Sequence, residues 1–152
     1  MSATTVKNLT GSFVMPTLEH ATVSDAMHPG VLSCEPDATA TELARLMSAQ
    51  HVHCIVVMGI AHDAGGESLV WGTITDLDLL RAGLAGGAEQ TAQAIARHTT
   101  LSVEPTMPLR AAGRLMLEQG VSHLLVVEPR AQRPIGVLSS LDLAGVMAWG
   151  EA

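Results

Sequence analysis

The sequence predicts an α/β (α+β) protein built from two copies of one β-α-β-β-α unit, and three observations predict it. The first is repetition. Leu32-Ser33-Cys34-Glu35-Pro36 returns as Leu101-Ser102-Val103-Glu104-Pro105, and Arg45-Leu46-Met47 returns as Arg114-Leu115-Met116 at the same offset. Gly72-Thr73-Ile74-Thr75-Asp76-Leu77-Asp78 is answered by Gly136-Val137-Leu138-Ser139-Ser140-Leu141-Asp142 at a shorter offset, because the first copy carries five extra residues in the loop before it. The second is a period that switches, within each copy, between β-branched runs and apolar residues spaced i, i+3, i+4 and i+7. The third is composition. With 47% hydrophobic but only 2% aromatic residues, the core is left to Val, Leu, Ile, Met and Ala, which suit helices laid on buried strands. Two similar units packed face to face generate two similar clefts, and clefts between repeats are where small ligands bind.

The elements follow in order. Residues 1 to about 20 mix Ser, Thr, Gly and Pro and read as an arm that orders only by packing on a neighbour. Residues 23–27 read as a short helical turn ended by His28-Pro29-Gly30, and residues 31–34 as a short strand. Thr39-x-x-Glu42 is a capping box for a helix whose apolar face is Ala40, Leu43, Ala44 and Met47. A strand over 52–60, a turn over 61–66, a return strand over 69–74 and a helix over 76–84 complete the first copy. Residues 88–97 form a linker with helical character. The second copy repeats the order, with a strand over 101–103 and a helix opened by Pro108 that aligns Leu109, Ala112, Gly113 and Met116. Gly113 lets that helix approach a neighbour closely. Strands over 121–127 and 135–138, joined by a turn over 128–134, lead to a closing helix over 141–147. The resulting boundaries are an arm (1–21), a first repeat (22–85), a linker (86–90), a second repeat (91–148) and a tail (149–152).

Charge and composition exclude several function classes. A net charge of −7 with only eight Lys and Arg leaves no cationic surface for a nucleic-acid backbone. Phe13, Trp71 and Trp149 are scattered rather than interleaved with basic residues, so no stacking platform for single strands is expected either. No apolar run of about 18 residues and no secretory leader are visible, which points to a cytoplasmic protein without a membrane partner. Cys34 and Cys54 are too few for a disulfide framework, and neither has a Cys-x-x-Cys partner or an adjacent cation. They are expected as reduced core or cleft residues. His51-x-His53-Cys54, with His62 nearby, is not a recurrent zinc spacing, and strand alternation turns Cys54 away from the two histidines. The methionines at 47, 58, 116 and 147 fall at packing positions. Asp76 and Asp78 diverge at a helix start, and no nucleophile, triad or phosphate loop accompanies them, so no catalysis is expected.

The β-α-β-β-α order, the Gly-x-hydrophobic-Thr/Ser-x-x-Asp segment opening the last helix of both copies, and Val-x-Asp-x-Met at residues 23–27 together resemble the tandem cystathionine β-synthase (CBS) domain pair. The resemblance spans about residues 22 to 148. It implies two repeats packed through their sheets as a pseudo-twofold pair, with two clefts that take AMP, ADP, ATP or S-adenosylmethionine. It also implies that Asp78 and Asp142 hold ribose hydroxyls, while Thr75, Ser139 and the helix N-termini face phosphate. The chemistry is sound, since a carboxylate accepts two hydrogen bonds from a cis-diol and N–H groups at a helix start favour an anion. The same motif is also simply a capping-box variant.

In that family each cleft borrows strands from the opposite copy. The Asp142 cleft would be lined by Leu32, Val52, His53 and Cys54, and the Asp78 cleft by Leu101, Val121, Ser122 and His123. His123, with Arg97, is the expected charge contact. Thr91-Ala92-Gln93-Ala94-Ile95-Ala96 departs from the Val-x-Asp-x-Met segment that opens the first copy, and cleft cations are few, so the two sites are expected to be unequal. The implied function is a non-catalytic sensor that reports ligand to an unidentified regulated protein. Such modules commonly form homodimers, here through Leu80, Leu84, Val146 and Trp149. The competing readings are a ligand-free dimerisation scaffold and, behind it, a metal or redox sensor.

Overall fold

The computed structural model describes residues 17–63, 66–96 and 101–149. The chain enters through α1 (Val23–Ala26) and β1 (His28–Pro29), then runs through β2 (Ser33–Cys34) and α2 (Ala40–Gln50). The hairpin of β3 (Cys54–Asp63) and β4 (Gly66–Thr75) and the helix α3 (Asp76–Leu84) follow. The second passage keeps the order: α4 (Ala92–Ile95), β5 (Ser102–Val103), α5 (Leu109–Gln119), the hairpin β6 (His123–Glu128) and β7 (Arg133–Ser139), and α6 (Ser140–Trp149). Two sheets result, β2-β3-β4 and β1-β7-β6-β5. β2 and β5 join their hairpins in parallel, Ser33 opposite Val56 and Ser102 opposite Leu125, because a helix carries the chain back before the next strand.

The cores cut across the sequence boundaries. Ala21 and Val23 are buried with Val103, Leu109, Leu124 and Leu138 of the second repeat, whereas Ala92 and Ala96 are buried with Leu43, Ile55 and Ile74 of the first. Matching hydrogen bonds pin the exchange. Val23 N–H donates to the Met107 carbonyl at 2.9 Å and Leu109 N–H to the Ala21 carbonyl at 2.9 Å. Their counterparts are Ala92 N–H to Ala38 at 2.7 Å and Ala40 N–H to Gln90 at 2.8 Å. The segment 91–96 is therefore a working equivalent of the first opener although it lacks the Val-x-Asp-x-Met residues, because a small residue, Ala92, fills the place of Val23.

His28-Pro29-Gly30 is more than punctuation, which corrects the sequence expectation. His28 and Pro29 pair antiparallel with Val137 and Gly136 at the edge of the second sheet, where a proline is tolerated, and Gly30 turns the chain at φ +80°. The approach is close. A Cβ on Gly136 would lie 2.6 Å from the His28 carbonyl oxygen, so only glycine fits there.

Other elements match or adjust. The capping box at Thr39 is formed, with Glu42 N–H donating to the Thr39 hydroxyl at 3.2 Å and Thr39 N–H to the Glu42 carboxylate at 2.8 Å. Ala40, Leu43 and Met47 are buried as expected, but Ala44 is exposed. Gly113 packs against Leu143 of α6, where a Cβ would sit 2.7 Å from the leucine methyl. The expected turn at 61–66 is mostly strand, since pairing continues to Asp63 opposite Gly66, and residues 64–65 lie outside the described residues. Of the arm, residues 1–16 also lie outside them, as do the last residues of the tail, 150–152. The described end of the arm packs on its own chain, with Leu18 against the second core and Glu19 paired with Arg110.

Candidate functional site

The start of α3 is locked by its own motif. The Asp78 carboxylate accepts from the Thr75 N–H at 2.9 Å and from the Thr75 hydroxyl at 3.0 Å, while Asp78 N–H donates back to Thr75 Oγ1 at 3.3 Å. α6 is locked the same way. Asp142 accepts from the Ser139 N–H at 2.8 Å, and its own N–H donates to Ser139 Oγ at 3.2 Å. In both repeats the motif is thus a helix cap. What reaches the capped carboxylate differs. Arg81 Nη1 lies 3.4 Å from Asp78 Oδ1, whereas His28 Nδ1, carried across on β1, lies 3.0 Å from Asp142 Oδ1.

A cavity of about 310 Å³ opens between the repeats. Thr75, Leu77 and Arg81 line it from the first repeat, and Leu101, Val121, Ser122 and His123 face them from the second. The four residues expected opposite Asp78 are therefore brought to one cavity with Thr75. Asp78 itself does not line it; its carboxylate is bonded to Thr75 and Arg81, which do. The residues expected around Asp142 are distributed differently. Cys54 lines the Thr75 cavity, Leu32 packs on the first core, and Val52 and His53 border a groove between α2 and α3. Strand geometry explains the split, because adjacent residues leave opposite faces: Cys54 turns inward while His53 turns outward to Asp76.

The titratable groups are tuned by burial and by each other. His53 Nδ1 lies 2.9 Å from Asp76 Oδ2, and this hydrogen bond holds the Asp76 carboxyl below its ordinary pKa. Burial lowers the pKa of His123, partly opposed by Asp76 and Asp142 and reinforced by His53. Its ring is neutral at pH 7, with Nδ1 2.9 Å from the Ser122 hydroxyl. His123 therefore presents the cavity with a hydrogen-bonding group rather than a charge. Burial pushes the Cys54 thiol up to about 12 and the Cys34 thiol to about 11, so neither supplies a thiolate at neutral pH. Both cysteines are free.

Leu77 is one cleft residue the sequence reading missed and Arg81 another. A signal for it existed, since Arg81 stands one helical turn after Leu77 and Asp78 and shares their face. Arg97, the other expected charge contact, lies outside the described residues. Among the described residues no group of three or more His, Cys, Asp or Glu side chains could hold a metal ion, and no helix is long and apolar enough to cross a membrane.

Exchanged openers, paired hairpins and a ligand-sized cavity between the capped start of α3 and the facing repeat define a class: a tandem repeat module with an inter-repeat cleft. The family model for the CBS domain matches residues 23–85 and again 92–148, and the chain belongs to the CBS-domain family. By sequence comparison no curated protein matches it. Its fold is similar to the CBS domain pair of protein MJ0100, whose structure holds 5′-methylthioadenosine and S-adenosyl-L-methionine, at 19% identity and TM-score 0.71 over 84% of this chain and 96% of that one. It is similar to an uncharacterized conserved protein from Pyrococcus horikoshii at 23% identity and TM-score 0.71, covering 85% and 93% of the two chains. CBSX2 in complex with AMP matches at 23% identity and TM-score 0.65, over 84% of this chain and 96% of that one.

Proposed function

We propose that this chain is a non-catalytic regulatory module that binds an adenine nucleotide or adenosyl ligand in the cleft between its repeats. The observation that carries the reading is the cavity that joins Thr75 and Leu77 at the start of α3 to Leu101, Val121 and Ser122 of the other repeat. The complexes of MJ0100 with 5′-methylthioadenosine and S-adenosyl-L-methionine and of CBSX2 with AMP support it from related folds. On this reading the base lies against Leu77, Leu101 and Val121, which explains why Leu77 is left 56% exposed. A ribose hydroxyl takes Asp78 Oδ1 in place of Arg81, whose 3.4 Å contact is long enough to be exchanged at small cost. Because each core holds an opener from the other repeat, a ligand wedged in the cleft shifts both cores together.

Thermal unfolding of the full chain with AMP, ADP, ATP and S-adenosylmethionine tests this, using the wild type, Asp78→Ala and Asp142→Ala. Ligand at a hundredfold excess over its dissociation constant adds about 2.7 kcal/mol of stability. The reading expects that gain in the wild type and its loss in Asp78→Ala. If no compound shifts the wild type, the nucleotide reading is wrong.

A second reading, pairing of two copies, is favoured by a separate observation. α6 buries none of its residues, and Leu80, Leu84, Leu141, Met147 and Trp149 are large apolar side chains left exposed on α3 and α6. Val146 instead packs partly on the second core. Leu84→Glu combined with Trp149→Glu is expected to convert a dimer to a monomer in sedimentation; a wild type that sediments as a monomer removes the idea.

A further inference from the structure

We propose that two copies of this chain pair antiparallel, the α2–α3 face of each lying against the α5–α6 face of the other. The inference rests on the pairing reading and adds to it which repeat meets which. It is carried by an exchange of side-chain size between positions that correspond in the two repeats. On α2 and α5, the exposed Ser48 answers to Leu117, a leucine left 85% exposed. On α3 and α6, Gly83 answers to Met147, and Ala85 at the end of α3 answers to Trp149; both large side chains are exposed. At two further positions the sizes are reversed. Leu80 and Leu84 stand exposed on α3 where α6 carries the exposed Ala144 and Ala148.

Packing within each repeat follows the same division. In the second, Gly113 lets α5 and α6 approach, with Leu143 standing where a Cβ would be. Ala44 holds the corresponding place in the first, and a groove of about 640 Å³ stays open between α2 and α3, lined by Ser48, Gly83 and the buried Met47. Packing among the described residues does not require the glycine at 83. A Cβ there would meet nothing within 4 Å, although glycine weakens a helix relative to alanine. The room it leaves is open to a neighbour.

Size decides between the two ways of pairing such faces. In a like-to-like pair, Leu117 and Met147 are set against their own counterparts, while Ser48 and Gly83 face their own across an unfilled groove, and close packing is lost at both. In an antiparallel pair each large residue meets a small one. Leu117 and Met147 of the partner subunit enter the groove at Ser48 and Gly83, and Leu80 and Leu84 lie over Ala144 and Ala148 of the partner subunit. A twofold axis repeats the contact, so one dimer closes with both grooves filled.

Two measurements on the full chain decide the matter. Under mild oxidation, a chain carrying both Ser48→Cys and Leu117→Cys is expected to run as a disulfide-linked dimer on a denaturing gel, while either substitution alone does not; the wild type, with Cys34 and Cys54, is the blank. In sedimentation equilibrium, Gly83→Met is expected to weaken the dimer about tenfold by filling the groove, and Met147→Ala added to the same chain is expected to restore most of the loss. The methionine has room within its own chain, so an unchanged melting temperature at a concentration where both chains are monomeric separates a blocked contact from a damaged fold. Either single-cysteine chain cross-linking with itself, a double-cysteine chain that sediments as a dimer yet does not cross-link, or a Gly83→Met dimer as tight as the wild type overturns the antiparallel arrangement and leaves pairing standing. A wild type that sediments as a monomer removes the pairing reading and this inference with it.

Discussion

The starts of α3 and α6 are built alike and surrounded differently. Thr75 with Asp78 and Ser139 with Asp142 make the same reciprocal cap, a device that typically contributes about 1 kcal/mol. Arg81 makes a long contact with Asp78, and Thr75 and Arg81, which bond its carboxylate, line an open cavity reached from both repeats. Around Asp142, an imidazole arrives on an exchanged strand and occupies the outer carboxylate oxygen. The hydrogen bonds of the motif therefore identify a helix start in both places. Neighbours contributed by the other repeat decide whether that start also faces a cavity.

The largest expected effect tests whether the two repeats are separable at all. Ile74 and Leu138 occupy the same place in their respective return strands, and both are fully buried. Ile74→Ala and Leu138→Ala are each expected to cost about 2–5 kcal/mol, as buried aliphatic truncations do. Because each core contains the other repeat's opener, both variants should lower one shared transition in denaturant unfolding. Two resolved transitions in either variant would break the picture of interlocked cores.

A smaller effect sharpens the contrast at the capped carboxylates. Gly136→Ala places a methyl 2.6 Å from the His28 carbonyl oxygen and 3.0 Å from the Met27 sulfur. The sulfur can move; the strand backbone can do so only by leaving the sheet edge. A loss of about 1–3 kcal/mol is expected, as for other overpacked sites. Proton NMR should also show a changed His28 ring environment, since β1 carries the ring to Asp142. An unaltered His28 spectrum would mean that β1 is not what positions the ring.

Much of this was legible in the chain. Helix faces such as Ala40, Leu43 and Met47 announced themselves by spacing, and the repeated Thr/Ser-x-x-Asp marked both helix starts, because caps and periodic burial are local properties. The exchange of openers was not legible, since nothing local in His28-Pro29 says which sheet it will join. The closed state of Asp142 follows from that exchange and was hidden with it. Arg81 was overlooked for a different reason. A single arginine at i+3 from an aspartate reads as a surface ion pair until the facing repeat turns that surface into a cleft wall.

The smallest predicted effect concerns one position that the two repeats fill differently. Cys54 and His123 open corresponding strands, opposite Thr75 and Ser139 respectively. The Cys54 thiol, pushed up to about 12 by burial and by nearby Asp78 and Asp76, stays neutral across the physiological range. The pKa of His123 is instead lowered by burial from its ordinary 6.5, so between its folded and unfolded values the unfolded chain holds the extra proton. Stability contributed by the neutral ring is therefore full above about pH 7, is lost as pH falls through 6.5, and stops falling once the folded form also protonates. The depressed carboxylates Asp76 and Glu19 titrate below 4.5 and do not enter this window. Melting temperature measured from pH 7.5 to 5.5 is expected to fall less steeply in His123→Gln than in the wild type. Equal slopes would show that the ring is solvated as it titrates, and that this cleft wall is more open than its packing implies.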